Sequence, residues 1–312
     1  MRPTLATSPE RHDASVTEQS VLVGAPGPTL QAFRRFRRHK PALIGALVLL
    51  VVALSVLIGP LLLPYKPNAV DLSVFQKPPS LVHPLGTDAA GRDVVTRLLV
   101  GGRVSLTIGC LVALLSTSLG LLLGAVAGYF RGVPDFFTMR LTEVVLSFPG
   151  LVAVAGAGAL FGPSTSLLVV VLSLFSWPTP CLIVRAMTLS IRNLDYVAAA
   201  RAAGASNARI IAFEVIPAVL SPLTVFATVA VAQAVLAEAG LSFLGFGVPP
   251  PDPSWGNMLN AAESISVLSS QPWLWLPPGL MIAIAVLCIN LVGDGLRDAV
   301  DPRSAEGLAA FR

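Results

Sequence analysis

Charge is what this sequence has least of. Only 12% of its 312 residues are Asp, Glu, Lys or Arg, against 54% hydrophobic, where a soluble domain carries about 25% charged residues. So few charges cannot cover a water-facing surface, and a bilayer is the alternative solvent. Cysteine is scarce as well. Cys110, Cys181 and Cys288 sit in separate apolar runs without metal-ligand spacing, so they read as small buried hydrophobes rather than a disulfide framework or metal centre. The three histidines, His12, His39 and His83, all fall outside the apolar runs, and no GxSxG or HExxH string occurs. That argues against a hydrolytic constellation at membrane depth. Lysine is nearly missing: Lys40, Lys66 and Lys77 follow His39, Tyr65 and Gln76. None follows glycine, so there is no phosphate-cradling loop of the GxxxxGK type and no ATP binding in the P-loop manner.

Long apolar runs are abundant. A hydrocarbon core of about 30 Å needs about 20 helical residues. Six runs satisfy that length: about 42–63, 104–130, 141–161, 166–184, 218–239 and 274–292. The first stays as an anchor, because the polar forty residues before it do not make a cleavable signal peptide. The chain divides into a tail over 1–40, a first span over 41–64, an outer segment over 65–103, a five-helix core over 104–296 and a tail over 297–312. Residues 1–28 hold no helical period and read as disordered. TLQAFRRFRRHK, residues 29–40, suits a basic helix lying on an anionic leaflet and equally a plain basic flank.

Orientation follows from Lys and Arg rather than from the net charge of +4. With the N-terminus inside, sixteen of the 21 Lys and Arg residues fall on the cytoplasmic side. The remainder, Lys66, Lys77, Arg92, Arg97 and Arg103, fall outside, so both termini are expected inside the cell. Trp273 and Trp275 then mark the outer edge of the last span. Glu143, Glu238 and Asp294 lie near span ends, where interface placement or pairing suits them better than a proton relay.

Gly120, Gly124 and Gly128 recur every four residues in the second span, and Ala153, Gly156 and Ala157 make a similar face in the third. Small residues let a neighbouring helix approach closely. Pro178 and Pro180 should kink or locally unwind the fourth span, either lining a cavity or only distorting the packing.

The segment between the fourth and fifth spans, 194–217, has a different character. Asp195–Ala203 is rich in Ala and Arg, strong helix formers. Gly204 supplies the left-handed conformation of a helix C-cap, Ser206 or Asn207 can cap a second helix through Ile216, and Pro217 marks the start of the fifth span. The expected product is a helix–turn–helix knob. Ala198, Ala199, Ala200, Ala202 and Ala203 give it a flat face with little side-chain entropy, suited to docking in another protein's groove or simply to a connecting loop.

The pattern AAxxxG with a proline thirteen residues after the glycine, carried by Ala199, Ala200, Gly204, Ile216 and Pro217, resembles the EAA loop of ABC importer permeases. Ala198 departs from the pattern, standing where the family often has Glu; a charged contact is then absent or supplied by Asp195. HPLGTDAAGRDVVTRLLVGGRVSL (His83–Leu106), AEAGLSFLGFGVPPPDPSWGNML (Ala237–Leu259) and NLVGDGLRDAVDPR (Asn290–Arg303) resemble the dipeptide, oligopeptide and nickel permeases. RRFRRHKPALIGA is similar to the start of their C-type subunit.

The resemblance implies an all-α polytopic fold with six transmembrane helices, the type I ABC importer permease fold, in the inner membrane. It implies half of a translocation path for peptides, with nickel, opines or oligosaccharides as alternatives. It also implies a coupling helix seated in an ATPase cleft, carried over to Asp195, Ala198, Ala199, Ala200, Gly204, Ser206, Arg209 and Pro217. The implied partners are a homologous B-type permease, two ABC ATPase subunits that use ATP and Mg, an outer solute-binding protein and membrane lipid, with no nucleic acid; this chain binds no cofactor of its own. Gly86 and Gly91 bracket a charged turn, so Asp88, Arg92 and Asp93, with Trp255, serve either as local structure at the outer mouth or as contacts for the binding protein. A secondary transporter would prefer mid-bilayer ionisable residues and an internal repeat, neither of which is present in the sequence.

Overall fold

The computed structural model of the chain describes residues 35–37 and 39–300. The readings made for residues 1–34 and for the tail beyond Val300 lie outside the described residues. Among those residues the regular structure is helical, with an isolated bridge between Thr87 and Asp93 as its sole β pairing. The long helices are α1 (Lys40–Leu62), α2 (Val94–Phe130), α9 (Ile216–Phe243) and α12 (Pro272–Val300). Shorter ones are α3 (Gly132–Ser147), α4 (Gly150–Phe161), α5 (Thr165–Ser176), α6 (Pro178–Ile191), α7 (Asp195–Ala202), α8 (Asn207–Ile210), α10 (Trp255–Leu259) and α11 (Ile265–Ser270). Five continuous helices or helix pairs are long and apolar enough to cross a membrane, and α3 with α4 makes a sixth if that bent pair is one span.

The apolar residues mark the spans but do not separate protein from lipid. On α1 only Ala42, Gly45, Val52 and Val56 are buried, a narrow stripe at helical spacing. Leu47, Val51, Leu54 and Leu61 are largely exposed, as a bilayer-facing surface permits. Pro60 lacks an N–H, so the Val56 carbonyl has no donor at the i+4 position. The Arg103 guanidinium fills the gap, donating from Nε to Val56 O at 3.3 Å and from a terminal nitrogen to Leu57 O at 2.8 Å.

α2 is the central helix, packed against α6, α9, α5 and α1. Its glycine ridge does what the spacing predicts. A Cβ on Gly120 would lie 2.7 Å from Pro180, on Gly124 2.5 Å from the Cys181 carbonyl, and on Gly128 2.7 Å from Thr188. Only glycine lets α6 come so near. The corresponding expectation for the third span is not met within this chain: nothing lies within 4 Å of a Cβ on Gly156.

Several boundaries differ from the sequence expectation. α2 begins at Val94, ten residues before the expected start, because Asp93 caps it: Oδ2 accepts from Thr96 N at 2.8 Å and Thr96 Oγ1 at 2.7 Å. The stretch between α1 and α2 therefore ends at Asp93, and the last ten residues of the segment expected over 65–103 are helical. The third span is not straight. It turns by 77° between α3 and α4, since Pro149 drives Phe148 to an extended conformation (φ −98°, ψ 134°) and removes a helical N–H. The fourth span tolerates Pro178 and Pro180 better than expected. Trp177 interrupts the helix, yet α5 and α6 continue as one 27-residue span. Cys181 and Cys288 are buried as expected, but Cys110 is exposed on the flank of α2.

The chain thus has two ends. One carries His39, Phe130, α7, α8 and Arg297; the other carries residues 63–93 and 244–271. At the first, the Arg185 guanidinium clasps the Asp135 carboxylate, with one arm at 2.7 Å, tying α3 to α6.

Candidate functional site

The hairpin between α6 and α9 forms from local signals. α7 carries Asp195 in its first turn, where the helix dipole favours an anion. It closes on Gly204 at φ +83°, with Gly204 N–H donating to Arg201 O at 3.0 Å and Ala205 N–H to Ala200 O at 3.1 Å. This pair of bonds is a Schellman cap. Ser206 then caps α8, accepting from Arg209 N at 3.4 Å. Asp195, Ala198, Ala199, Ala202, Ala203, Gly204, Ser206 and Arg209 are all exposed, and Ala200 is half-buried. The alanine face is therefore open, not spent inside the chain.

The inner face is anchored firmly. Val197 and Ile210 are fully buried with Val215 against Tyr129, near the end of α2. The Tyr129 hydroxyl donates to Asn207 Oδ1 at 2.9 Å and accepts from Arg201 at 3.4 Å. Arg192 donates to the Tyr129 carbonyl at 2.8 Å, and the Arg201 guanidinium lies over the Tyr129 ring. The hairpin's second helix does not stop at Pro217 as expected. A π turn over Ile211–Val215 joins α8 to α9, giving one 37-residue helix from Asn207 to Phe243. The wider i→i+5 spacing accommodates the missing N–H of Pro217. A push on the knob is therefore a push on α2 and α9 together.

At the opposite end the four candidate contact residues separate. Asp88 and Arg92 are partly exposed and paired at 2.7 Å, with Arg97 3.5 Å from the same carboxylate. Asp93 is 3% exposed, capping α2 and lying 2.9 Å from His83 Nδ1. Trp255 is fully buried: its ring fills the space beside Gly102 and its Nε1 donates to Leu98 O at 3.0 Å. Asp93 and Trp255 thus offer no surface to a partner; they hold the cap at this end to α2. Gly91 belongs to the same construction, at φ +69°, where an added Cβ would overlap the Asp71 carbonyl oxygen. The Ser73 hydroxyl, with its backbone N–H, holds the Asp71 carboxyl below its ordinary pKa.

Of the carboxylates expected to pair or to lie at an interface, two have their partners on the described residues. Glu143 does pair at a span end, 2.7 Å from Arg140. Glu238, by contrast, is fully buried: Oε2 accepts from Ser105 Oγ at 2.7 Å and Oε1 from Ser242 Oγ at 2.6 Å. The two hydroxyls in turn accept from Trp255 N and Val248 N, both at 3.1 Å. Glu238 is a structural hub for the cap at this end, paired as a carboxylate near a span end requires, though its partners had no sequence signal. Tyr129 and Arg192 carried no signal beyond their position at span ends.

An all-α, multi-pass bundle carrying an exposed helical knob at one end and a folded cap at the other defines the class: a membrane permease. The comparisons narrow it. The family described as binding-protein-dependent transport system inner membrane component matches residues 120–306, and the N-terminal TM domain of oligopeptide transport permease C matches 27–79. A provisionally named peptide permease protein of Brucella suis is 42% identical over 278 residues, covering 89% of this chain and 92% of its own. A provisionally named peptide transport system permease protein of Brucella abortus is 43% identical over 290 residues, covering 93% and 97%. The oligopeptide transport system permease protein OppC of Mycobacterium bovis is 39% identical over 273 residues, covering 87% and 93%. The chain belongs to the binding-protein-dependent transport inner-membrane component family.

Proposed function

We propose that this chain is a C-type permease of an ATP-driven peptide importer, and that the 194–217 hairpin is where separate ATPase subunits drive it. Peptide is the favoured cargo because the relatives above are named for peptide or oligopeptide transport. A B-type permease completes the pore, an outer binding protein delivers cargo, and two ATPases hydrolyse ATP with Mg. The hairpin end faces the cytoplasm. It carries ten of the described Lys and Arg residues against five at the other end, and the side richer in these residues is the inner one.

The observation that carries the reading is the two-sided build of the hairpin. Its outer face is small, flat and exposed; its inner face is welded to Tyr129 and runs unbroken into α9. A docked subunit that moves the knob moves both central helices, which is the differential displacement that a switch between inward and outward states requires.

Gly204→Val tests it. A Cβ there meets nothing within 4 Å, so the bundle stays intact, but a β-branched residue at φ +83° carries about 1–3 kcal/mol of strain. Peptide uptake by the assembled transporter is expected to fall about tenfold, with uptake and ATP hydrolysis no longer in step. Undiminished coupling in a folded variant would refute the reading.

A further inference from the structure

We propose that the cavity between α2, α5–α6 and α9 is this chain's part of the transport path, and that it binds the backbone amides of a passing peptide, with Gln233 as the central hydrogen-bonding group. The inference rests on the peptide-import reading and deepens it.

The cavity measures about 260 Å³ and holds Ser116, Ser176, Thr179 and Gln233 between the rings of Phe175 and Phe226. Gln233 lies ten residues before the end of α9, so roughly 15 Å inside it at 1.5 Å per residue, near the middle of an apolar core about 30 Å thick. Ser176, Thr179 and Gln233 are exposed, and none makes a hydrogen bond among the described residues, whereas Ser116 turns back to Ala113 O at 3.3 Å. A carboxamide carries two donors and two lone pairs, and leaving them unmet in hydrocarbon is costly. Such a group belongs against water, protein or a polar ligand.

The backbone adds to the demand. Pro178 and Pro180 withhold the N–H groups that the Leu174 and Ser176 carbonyls would receive in a regular helix. A second break adjoins the cavity, since a Cβ on Gly150, directly after the Phe148–Pro149 turn, would lie 3.3 Å from Phe175. Interrupted helices at membrane depth occur where they are buried in protein or line a water-filled cavity.

The other side of the α2–α9 pair provides the contrast. There, two grooves of about 490 and 520 Å³ meet at Cys110, Thr228 and Val231. They are walled mainly by aliphatic side chains; Thr224 and Thr228 bond back to their own helix, and Arg103, at the wall of the first, is spent on the Val56 and Leu57 carbonyls. That side suits lipid. The polar cavity has no charged group in its lining. A divalent cation would call for carboxylate or imidazole ligands, but the neutral N–H and C=O groups of a peptide match a carboxamide donor for acceptor, whatever the peptide's side chains.

The test is thiol accessibility in membrane vesicles of cells expressing the full transporter, with Cys110, Cys181 and Cys288 replaced by Ala. Gln233→Cys and the lipid-facing control Leu114→Cys, 64% exposed in this chain, are treated with a charged methanethiosulfonate, which needs a hydrated thiolate. Gln233→Cys is expected to label on the order of a hundredfold faster than Leu114→Cys, the penalty for bringing charge to mid-bilayer. Ala230→Cys, which lines the same cavity and keeps Gln233, reads occupancy: peptide supplied with binding protein and ATP is expected to slow its labelling. Equal rates at the two positions would overturn the path assignment. Fast labelling that peptide leaves unchanged, while the same vesicles import peptide, would overturn the peptide site. A failure of hairpin coupling would abolish uptake in every variant but leave the labelling ratio intact, so the two proposals fail separately.

Discussion

Gly124→Ala measures how much of this fold depends on the close approach of α2 and α6. The added Cβ would lie 2.5 Å from the Cys181 carbonyl oxygen, 2.9 Å from Val184 Cβ and 3.0 Å from Arg185 N. Two of the three are backbone atoms, which cannot rotate away, so the helices must separate. Gly120 and Gly128, one turn on either side, lose contact as well. Overpacking of this kind costs about 1–3 kcal/mol. Against it stands the gain of about 1 kcal/mol from replacing glycine by alanine inside a helix. Gly156→Ala collects the same gain with nothing within 4 Å to meet, so the difference between the two variants isolates the packing cost. For the chain purified in mild detergent, Gly156→Ala should melt at or above the parent temperature. Gly124→Ala should melt lower than Gly156→Ala by roughly 2–12 °C, taking 2–4 °C per kcal/mol for a large domain. Equal melting temperatures would show that α2 and α6 do not pack through this ridge.

Two further outcomes follow from buried polar groups. Arg103→Met should destabilise the chain by about 1–3 kcal/mol by orphaning the Val56 carbonyl, which Pro60 leaves without a helical donor. Pro60→Ala, which restores an N–H to Val56 O, should recover part of that loss, and strict additivity in the double-mutant cycle would contradict the pairing. Glu238→Gln should cost about 1 kcal/mol, since one acceptor oxygen survives, while Glu238→Leu should cost about 2–4 kcal/mol because the Ser105 and Ser242 hydroxyls lose their partner. Parent-like melting of the Leu variant would sink the role assigned to Glu238.

Much of the architecture was legible because it is local. The four-residue glycine spacing in the second span reports one face of one helix, and that face is where α6 lies. Gly204 followed by Ser206 encodes a C-cap and an N-cap within three residues, and the hairpin turns there. Pro149 was equally legible as a breaker, but it sat inside an apolar run whose length suggested a straight span. The early start of α2 was hidden in the same way: Asp93 and Thr96 make a cap, yet Arg97 and Arg103 made the stretch read as a loop until their partners on other segments were seen.

The amino-acid order by itself determined which segments are long and apolar enough to cross a membrane, where the hairpin turns and that the chain has no P-loop, because each depends on hydropathy, cap chemistry or a motif within a few residues. Only the tertiary structure decided that Trp255 and Asp93 face inward, that Glu238 gathers Ser105 and Ser242, that Tyr129 holds the hairpin and that Gln233 opens into a polar cavity. In water a helix shows its buried face by its apolar stripe. In a bilayer the lipid-facing surface is as apolar as the packed one, so periodicity does not say which side of a span meets protein, and contacts such as Ser105 with Glu238, 133 residues apart, emerge only when the helices are assembled.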